Sequence, residues 1–504
     1  MALFRAALQT AAIGLVATTA CIYDARIPSD VAEPAGPSAA RAPQFASVAR
    51  GGAVASNRHI VTFSGSVPAD FASQVAALGG KVLWVSPGAG LAAVSGLQGS
   101  AATTLAGARG IQAVDADALI PLDVPRLATD ASADASGVKS NAAPAAAVRY
   151  ARQWNMRAVQ ADVAWAHGFL GSTGVAIFML DTGIDYLHAD LVGRVDLARS
   201  VDLLGTFDAP AVVGKDTIIV PFTEADTVKK YFLTRLPFTD LFFHGTHTAA
   251  TVSSNAVRAA GITSGTTLVA VKVCGYINEC PFSSILIGVI YAADNGAAVI
   301  NLSLGGAFAK AGNGRFVGLI NQVFNYARSK GVTIVVSAGN DATDLDHDSN
   351  SYASFCNTAA VICVSATGPT AQTTVNGPWT DVDAPSYFTN FGRSAIDVAA
   401  PGGNNDVTFV WAACSETIYP PLAVVLGLQA CATAPLFVVG SEGTSGAAPH
   451  VSGTAAVLVS IFGRNPAQIK ARIQQTADDL GQPGTDPFYG KGRLNVARAV
   501  GAIP

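Results

Sequence analysis

The chain is short of charge. Only 13% of its 504 residues are Asp, Glu, Lys or Arg, and the formal net charge is −4. No long basic run occurs, which argues against nucleic-acid binding, because phosphate contacts need clustered Lys and Arg. After the N-terminus no stretch reads as both long and apolar enough for a membrane span. Histidine is scarce, at seven residues. Where two fall at (i, i+3), His244 and His247, neither a helical Glu nor a third ligand accompanies them, so a zinc centre is not expected. Small and apolar residues abound: 50% of the chain is hydrophobic and 50 residues are glycine. The length suits a large core and more than one unit.

Residues 1–21 read as an export signal, with Arg5 as the positive region and "AALQTAAIGLVATTA" as the apolar one. Cys21 follows in "ATTAC", which resembles a bacterial lipoprotein signal whose cysteine receives lipid. Thr18 departs from that pattern, where an aliphatic residue is usual. Two outcomes stay open: a lipid anchor on Cys21, or ordinary cleavage and release. Disulfides persist where an exported chain sits. The other cysteines lie late in the chain, and many connectivities are possible. Neighbour pairing, Cys274 with Cys280, Cys356 with Cys363 and Cys414 with Cys431, is the simplest and leaves Cys21 unpaired.

Residues 22–56, rich in Pro, Ala and Ser, read as a flexible tether. Residues 57–122 read as a compact unit in the order β-α-β-β-α-β, which predicts a small antiparallel sheet with two helices on one face, a ferredoxin-like α+β arrangement. Residues 123–150 are again small and polar, and mark a domain boundary open to proteolysis. From 151 to 504 apolar runs such as "VAIFMLD", "TLVAVKV", "AVINLSL", "TIVVSAG" and "VICVSA" alternate with helical segments. That alternation predicts an α/β domain with a mainly parallel central sheet covered on both faces. Chemistry in such sheets sits beyond the carboxyl ends of the strands. Those ends carry Asp181, Ser303-Leu304-Gly305 and Ala338-Gly339-Asn340.

Asp181 alone reads as a turn former, His244 as a structural histidine and Ser445 as a helix cap. Together they read differently. A serine hydroxyl is a poor nucleophile without a base, and the base needs a group that fixes its tautomer. The segments "DTGID", "HGTHTA" and "GTSGAAPHVSG" occur in that order and closely resemble the three signature segments of the subtilisin-like serine proteases, the subtilases. The likeness extends over nearly all of 151–504, including "YGKGRLNVARAV", while 57–122 resembles the inhibitor-type propeptide that precedes many of these proteases.

The resemblance implies a secreted or surface-anchored serine endopeptidase made as a self-processing precursor. It implies that Ser445 is the nucleophile, His244 the general base and Asp181 the carboxylate that orients it. Asn340 and the Ser445 N–H would form the oxyanion hole. Ser303, Leu304, Gly305, Ala338 and Gly339 would line the strand edges that take an extended polypeptide substrate. The linker 123–150 would hold the maturation site, between roughly Asp123 and Arg152, and the chain's own propeptide would be its intramolecular inhibitor. Asp190, with Gln153, matches a calcium position of many relatives. Asp341, Asp344, Asp346 and Asp348 read instead as a solvated acidic loop. A monomer is expected, without a catalytic cofactor. Methionine usually follows the family's serine, whereas Gly446 stands here, a packing change that leaves the activity expectation in place. Pro449 is expected in a first helical turn, and 205–243 is read as surface loops. The competing reading is a catalytically inactive surface binding protein on the same fold, against which the complete Asp181, His244, Ser445 and Asn340 set argues.

Overall fold

Alternating and continuous apolar runs become two sheets, and one face of the smaller sheet joins the core on one side of the larger, while each keeps a separate core on its other face. The structure, a computed structural model, describes residues 54–122, 125–129, 143–213, 216–277, 279–305, 308–310, 314–348, 351–352, 354–433 and 437–504. The export signal with Cys21, most of the tether and most of the 123–150 linker lie outside the described residues.

The first unit holds β1 (Val54–Phe63), β2 (Lys81–Ser86), β3 (Leu91–Ser95) and β4 (Ile111–Pro121), with helices Phe71–Ala77 and Ala101–Ala106. β1 starts three residues ahead of the expected boundary at 57. The strands pair antiparallel in the order β4-β1-β3-β2. One face covers the helices through Val61, Phe63, Val75 and Leu105. Phe63 and Phe71 meet edge to face at 5.0 Å. The opposite face, through Ile60, Leu91 and Ile120, enters the core of the large domain beside Ile285, Leu286 and Leu319. A buried polar seam accompanies it. Arg58 pairs with Asp117 at 3.4 Å and donates to the hydroxyls of Ser283 and Ser284, while Asp117 accepts from the Ser283 N–H at 2.8 Å.

The large domain begins with β5 (Leu127–Thr129), β6 (Ala176–Asp181), β7 (Val201–Asp202), and the hairpin β8 (Thr206–Val213) and β9 (Asp216–Thr223). There follow β10 (Thr267–Lys272), β11 (Glu279–Pro281), β12 (Val299–Leu302), β13 (Phe308–Ala309), β14 (Thr333–Ser337), β15 (Ser351–Tyr352) and β16 (Val361–Thr367). The last are β17 (Ala371–Gln372), β18 (Trp379–Thr380), β19 (Val398–Pro401), β20 (Val410–Ala413) and β21 (Val438–Ser441). Seven parallel strands form the central sheet in the order β19-β16-β14-β12-β6-β10-β7. Helices Phe282–Asp294 and Gly314–Ser329 pack on one face, with His244–Val252 and Thr444–Phe462 on the other.

Thr444–Phe462 corrects one expectation. By length and composition it could cross a membrane, but 83% of its apolar window is buried, so it is the domain's core helix. The segment 205–243 is more than surface loop. Its helix Glu224–Tyr231 turns Glu224 inward, 1% exposed, against fully buried Lys272, whose ammonium also donates to the Thr239 carbonyl. Burial pushes the Glu224 carboxyl up to about 7, only partly offset by Lys272. The expected disulfides are present: Cys274–Cys280, Cys356–Cys363 and Cys414–Cys431, with Cα separations of 4.2, 5.2 and 5.7 Å.

Candidate active site

β6 is an all-buried strand that ends on Asp181, and β10 beside it ends in register on Lys272. Helix His244–Val252 approaches that strand end so closely that a Cβ at Gly245 would overlap the Gly183 carbonyl oxygen. The missing side chain at Gly245 therefore permits the contact that brings His244 to Asp181. His244 Nδ1 lies 2.7 Å from Asp181 Oδ1, with both side chains buried. Asp181 also accepts from the Thr182 N–H at 2.7 Å and from Thr248 Oγ1 at 3.0 Å. With Nδ1 held by the carboxylate, Nε2 is the nitrogen through which His244 can act as a base.

Asp240, which sequence reasoning missed, locks this geometry. It accepts from the N–H groups of Phe242, Phe243 and Thr246, and from the hydroxyls of Thr182 and Thr246. One buried carboxylate thus ties the end of β6 to the start of the histidine helix. His247, one turn on, bonds the Val410 carbonyl at 2.9 Å, and burial holds its pKa down to about 4. It is a neutral packing histidine. His450 is the same case, lowered to about 4 by burial.

Ser445 is the second residue of the Thr444–Phe462 helix. Pro449 therefore falls in the second turn, not the first as expected. A proline there cannot donate to the carbonyl four residues back, which is that of Ser445. The Ser303 hydroxyl supplies the bond, donating to Ser445 O at 2.9 Å, and is itself held by Asn301 Nδ2 at 3.0 Å. Asn340 Oδ1 accepts from both the N–H and the hydroxyl of Thr444, each at 2.8 Å. That fixes the amide with Nδ2 as its free donor. A Cβ on Gly443, φ +148°, would stand 3.0 Å from Ser445 Oγ and 3.7 Å from Asn340 Nδ2. Glycine keeps that space open for an oxygen between the two groups.

His244, Ser303, Gly305, Ser337, Gly339, Asn340, Thr444 and Ser445 line one cleft, together with Leu122 from the first unit. The other expected lining residues fall differently. Leu304 and Ala338 are core side chains. Ala338 offers no free backbone edge, since its N–H donates to Val364 O and its carbonyl accepts from Asn390 Nδ2. A further strand edge, β11, which sequence reasoning missed, runs along the first unit. Glu279 faces Pro121, Cys280 faces Ile120 and Pro281 faces Leu119 in an antiparallel ladder. The Cys274–Cys280 disulfide staples this short strand, and its tight spacing was the signal available in the sequence. Gly446 has room, because a Cβ would meet Val410 only at ordinary contact, 3.6 Å.

The calcium expectation meets a different result. Asp190 and Gln153 both reach the loop at 257–260, but Asp190 accepts from the N–H groups of Val257, Arg258 and Ala259, and Gln153 Oε1 from that of Ala260. Amide hydrogens, not a cation, satisfy these oxygens, so the pair does not fit a calcium ion. Among the described residues no group of three or more His, Cys, Asp or Glu is placed to hold a metal. In the acidic loop Asp346 accepts from Ser394 and Ala395, Asp344 pairs with His347 and Asp348 with Lys310.

A hydroxyl, an imidazole anchored by a carboxylate, and a pair of donors converging on one cleft are the parts of a serine hydrolase. The fold agrees. The epidermin leader peptide processing serine protease of Staphylococcus aureus superposes with a TM-score of 0.62 at 19% identity, over 88% of this chain and 97% of that one. Residues 172–492 match the subtilase family model. Thermitase of Thermoactinomyces vulgaris is 30% identical over 69% of this chain and 96% of its own length. A thermophilic serine proteinase of Bacillus sp. (strain AK1) is 30% identical over 69% of this chain and 67% of its own. The chain belongs to the subtilase family, and its activity is that of a serine-type endopeptidase.

Proposed function

We propose that this chain is an exported precursor that converts itself, by cutting after Leu122, into an extracytoplasmic endopeptidase that uses Asp181, His244 and Ser445. The observation that carries the reading is the course of the chain. β4 lies along β11, and Leu122, 6% exposed, enters the cleft beside Ser445 and His244. The unit at 54–122 therefore occupies the substrate track as an inhibitor would, with its own C-terminal end as the first substrate.

In the reaction Ser445 Oγ attacks the scissile carbonyl while His244 Nε2 takes its proton. Asp181 holds the Nδ1–H and stabilises the imidazolium. The oxyanion accepts from Asn340 Nδ2 and the Ser445 N–H, at the positive end of a long helix. His244 then gives its proton to the leaving amine, and water releases the acyl group by the same steps in reverse. Three disulfides support an oxidising compartment outside the cytoplasm. Whether Cys21 anchors the product by lipid is a separate outcome.

The Ser445→Ala protein is expected to accumulate with residues 54–122 attached, while the parent loses them and begins with "DVPRLAT". Intact mass and N-terminal sequencing of both, purified from a protease-deficient host, read the result. Cleavage of the alanine variant at the same bond and rate would overturn self-processing.

A further inference from the structure

The chain leaves the cleft along a second track. β5 lies antiparallel on β21, with Leu127 opposite Ser441, Ala128 opposite Gly440 and Thr129 opposite Val439. The Glu442 N–H donates to the Arg126 carbonyl at 3.1 Å, so the ladder extends toward the residues that lead into Ser445. Where the ladder ends, the Arg126 guanidinium pairs with Asp406. The other oxygen of Asp406 accepts from the Tyr387 hydroxyl at 3.1 Å. Glu442 lies against the same spot, 3% exposed, with both carboxyl oxygens buried beside the carboxyl of Asp406. Burial first, and the neighbouring Asp406 second, push its carboxyl up to about 8. Two carboxyl groups side by side favour a cation nearby, and the ion pair formed here is with Asp406. In this structure Arg126 answers that need.

We propose that Asp406 and Glu442 form a leaving-side subsite that selects a lysine or arginine four residues beyond the scissile bond of polypeptide substrates, with Arg126 as its first occupant. The proposal rests on the cut after Leu122, which sets that spacing. Backbone pairing on β11 and β21 accepts any sequence. The Asp406–Glu442 corner adds a requirement of charge. Once the N-terminal segment carrying Arg126 moves away, the corner is free for a substrate's cation.

The test uses the matured full-length enzyme and three peptides. One carries the chain's own "ALIPLDVPRLAT", and the others carry Ala or Glu in place of the arginine. All are expected to be cut after the leucine that precedes aspartate, as mass identification of products would show. The kcat/KM of the Arg peptide should exceed that of the Ala peptide about three- to fivefold at low salt, the scale of a partly exposed ion pair. The Glu peptide should fall below the Ala peptide, and added salt should narrow the spread. Asp406→Lys should reverse the order, placing Glu above Arg. A milder variant, Asp406→Asn, should bring the Arg and Ala peptides together should the lysine variant fail to fold. Equal rates for the Arg and Ala peptides in the parent enzyme, or an order unchanged in both variants, overturn the subsite. Casein digestion by the same preparation separates the two levels. An enzyme that digests casein but cuts the peptides elsewhere loses the junction and the subsite while remaining a peptidase. One that digests neither overturns the proposed function and the subsite with it.

Discussion

On the side that leads into the cleft, Leu119–Pro121 is held by backbone pairing with Glu279–Pro281, and Leu122 is buried. On the side that leads out, Leu127–Thr129 is held by backbone pairing with Val438–Ser441, and Arg126 reaches a carboxylate. Burying a leucine side chain is worth about 2 kcal/mol, whereas an ion pair exposed to this degree is worth about 0–1 kcal/mol. The entering side therefore supplies most of the hold on a chain, and the leaving side supplies discrimination by charge. The stapled strand Glu279–Pro281 belongs to the first task and the Asp406–Glu442 corner to the second.

The largest expected effect acts on neither side and so calibrates both. Asn340→Ala should lower kcat by a factor of about 100–1,000, near 3 kcal/mol, with KM little changed. That magnitude is taken from the corresponding donor in subtilisin, not from this site's geometry. A rise in KM as large as the fall in kcat would make Asn340 a substrate contact instead. Next comes the entering side alone. Replacing Cys274 and Cys280 together by serine frees a short loop, worth about 2 kcal/mol by chain-entropy reasoning. Urea denaturation should read that loss. Peptide kinetics should show KM rising more than kcat falls, whereas an unchanged KM would mean that β11 holds its place without the staple.

A smaller effect follows pH. Burial raises the Glu279 carboxyl from 4.5 to about 7 where it faces Pro121 in the ladder. Where the first unit supplies that burial, the covered state binds the extra proton, so the group's contribution to the complex is present below pH 4.5 and is lost as pH rises through 7. Inhibition by the cleaved 54–122 unit should accordingly lose this contribution across that window. Glu279→Gln should remove that part of the pH dependence and tighten inhibition above pH 7. Parallel pH profiles for parent and variant would exclude Glu279 from the coupling. The smallest effect expected is from a chelator. EDTA should leave Tm and KM on both sides unchanged at the Asp190–Gln153 loop, since amides already satisfy those oxygens. A clear fall in Tm would overturn that reading of the loop.

Legibility in the sequence followed the range of the interaction. The apolar runs ending at Asp181, Leu302 and Ser337 announced parallel strands because continuous apolarity is a local property, and Asp181, Ser303 and Asn340 fall at or just beyond their carboxyl ends. "HGTH" and "GTSGAAPHVSG" carry their meaning within a dozen letters each. The β-α-β-β-α-β order of the first unit was readable for the same reason. What escaped depends on partners far away in the chain. Nothing near Pro121 says that it pairs with Glu279, or near Asp240 that it binds Thr182. Asp190 looked like a cation ligand until the loop at 257–259 closed over it with its own N–H groups.

By itself, then, the sequence determined the kinds of element, their order, and which hydroxyl, imidazole and carboxylate could react, because periodicity and short motifs are set by neighbouring residues. Only the tertiary structure decided which strand edge receives the chain, that Ser303 replaces the bond Pro449 cannot make, and that Arg126 meets Asp406. Each of these joins residues more than a hundred positions apart, through a hydrogen bond or ion pair that exists only once the sheets have packed.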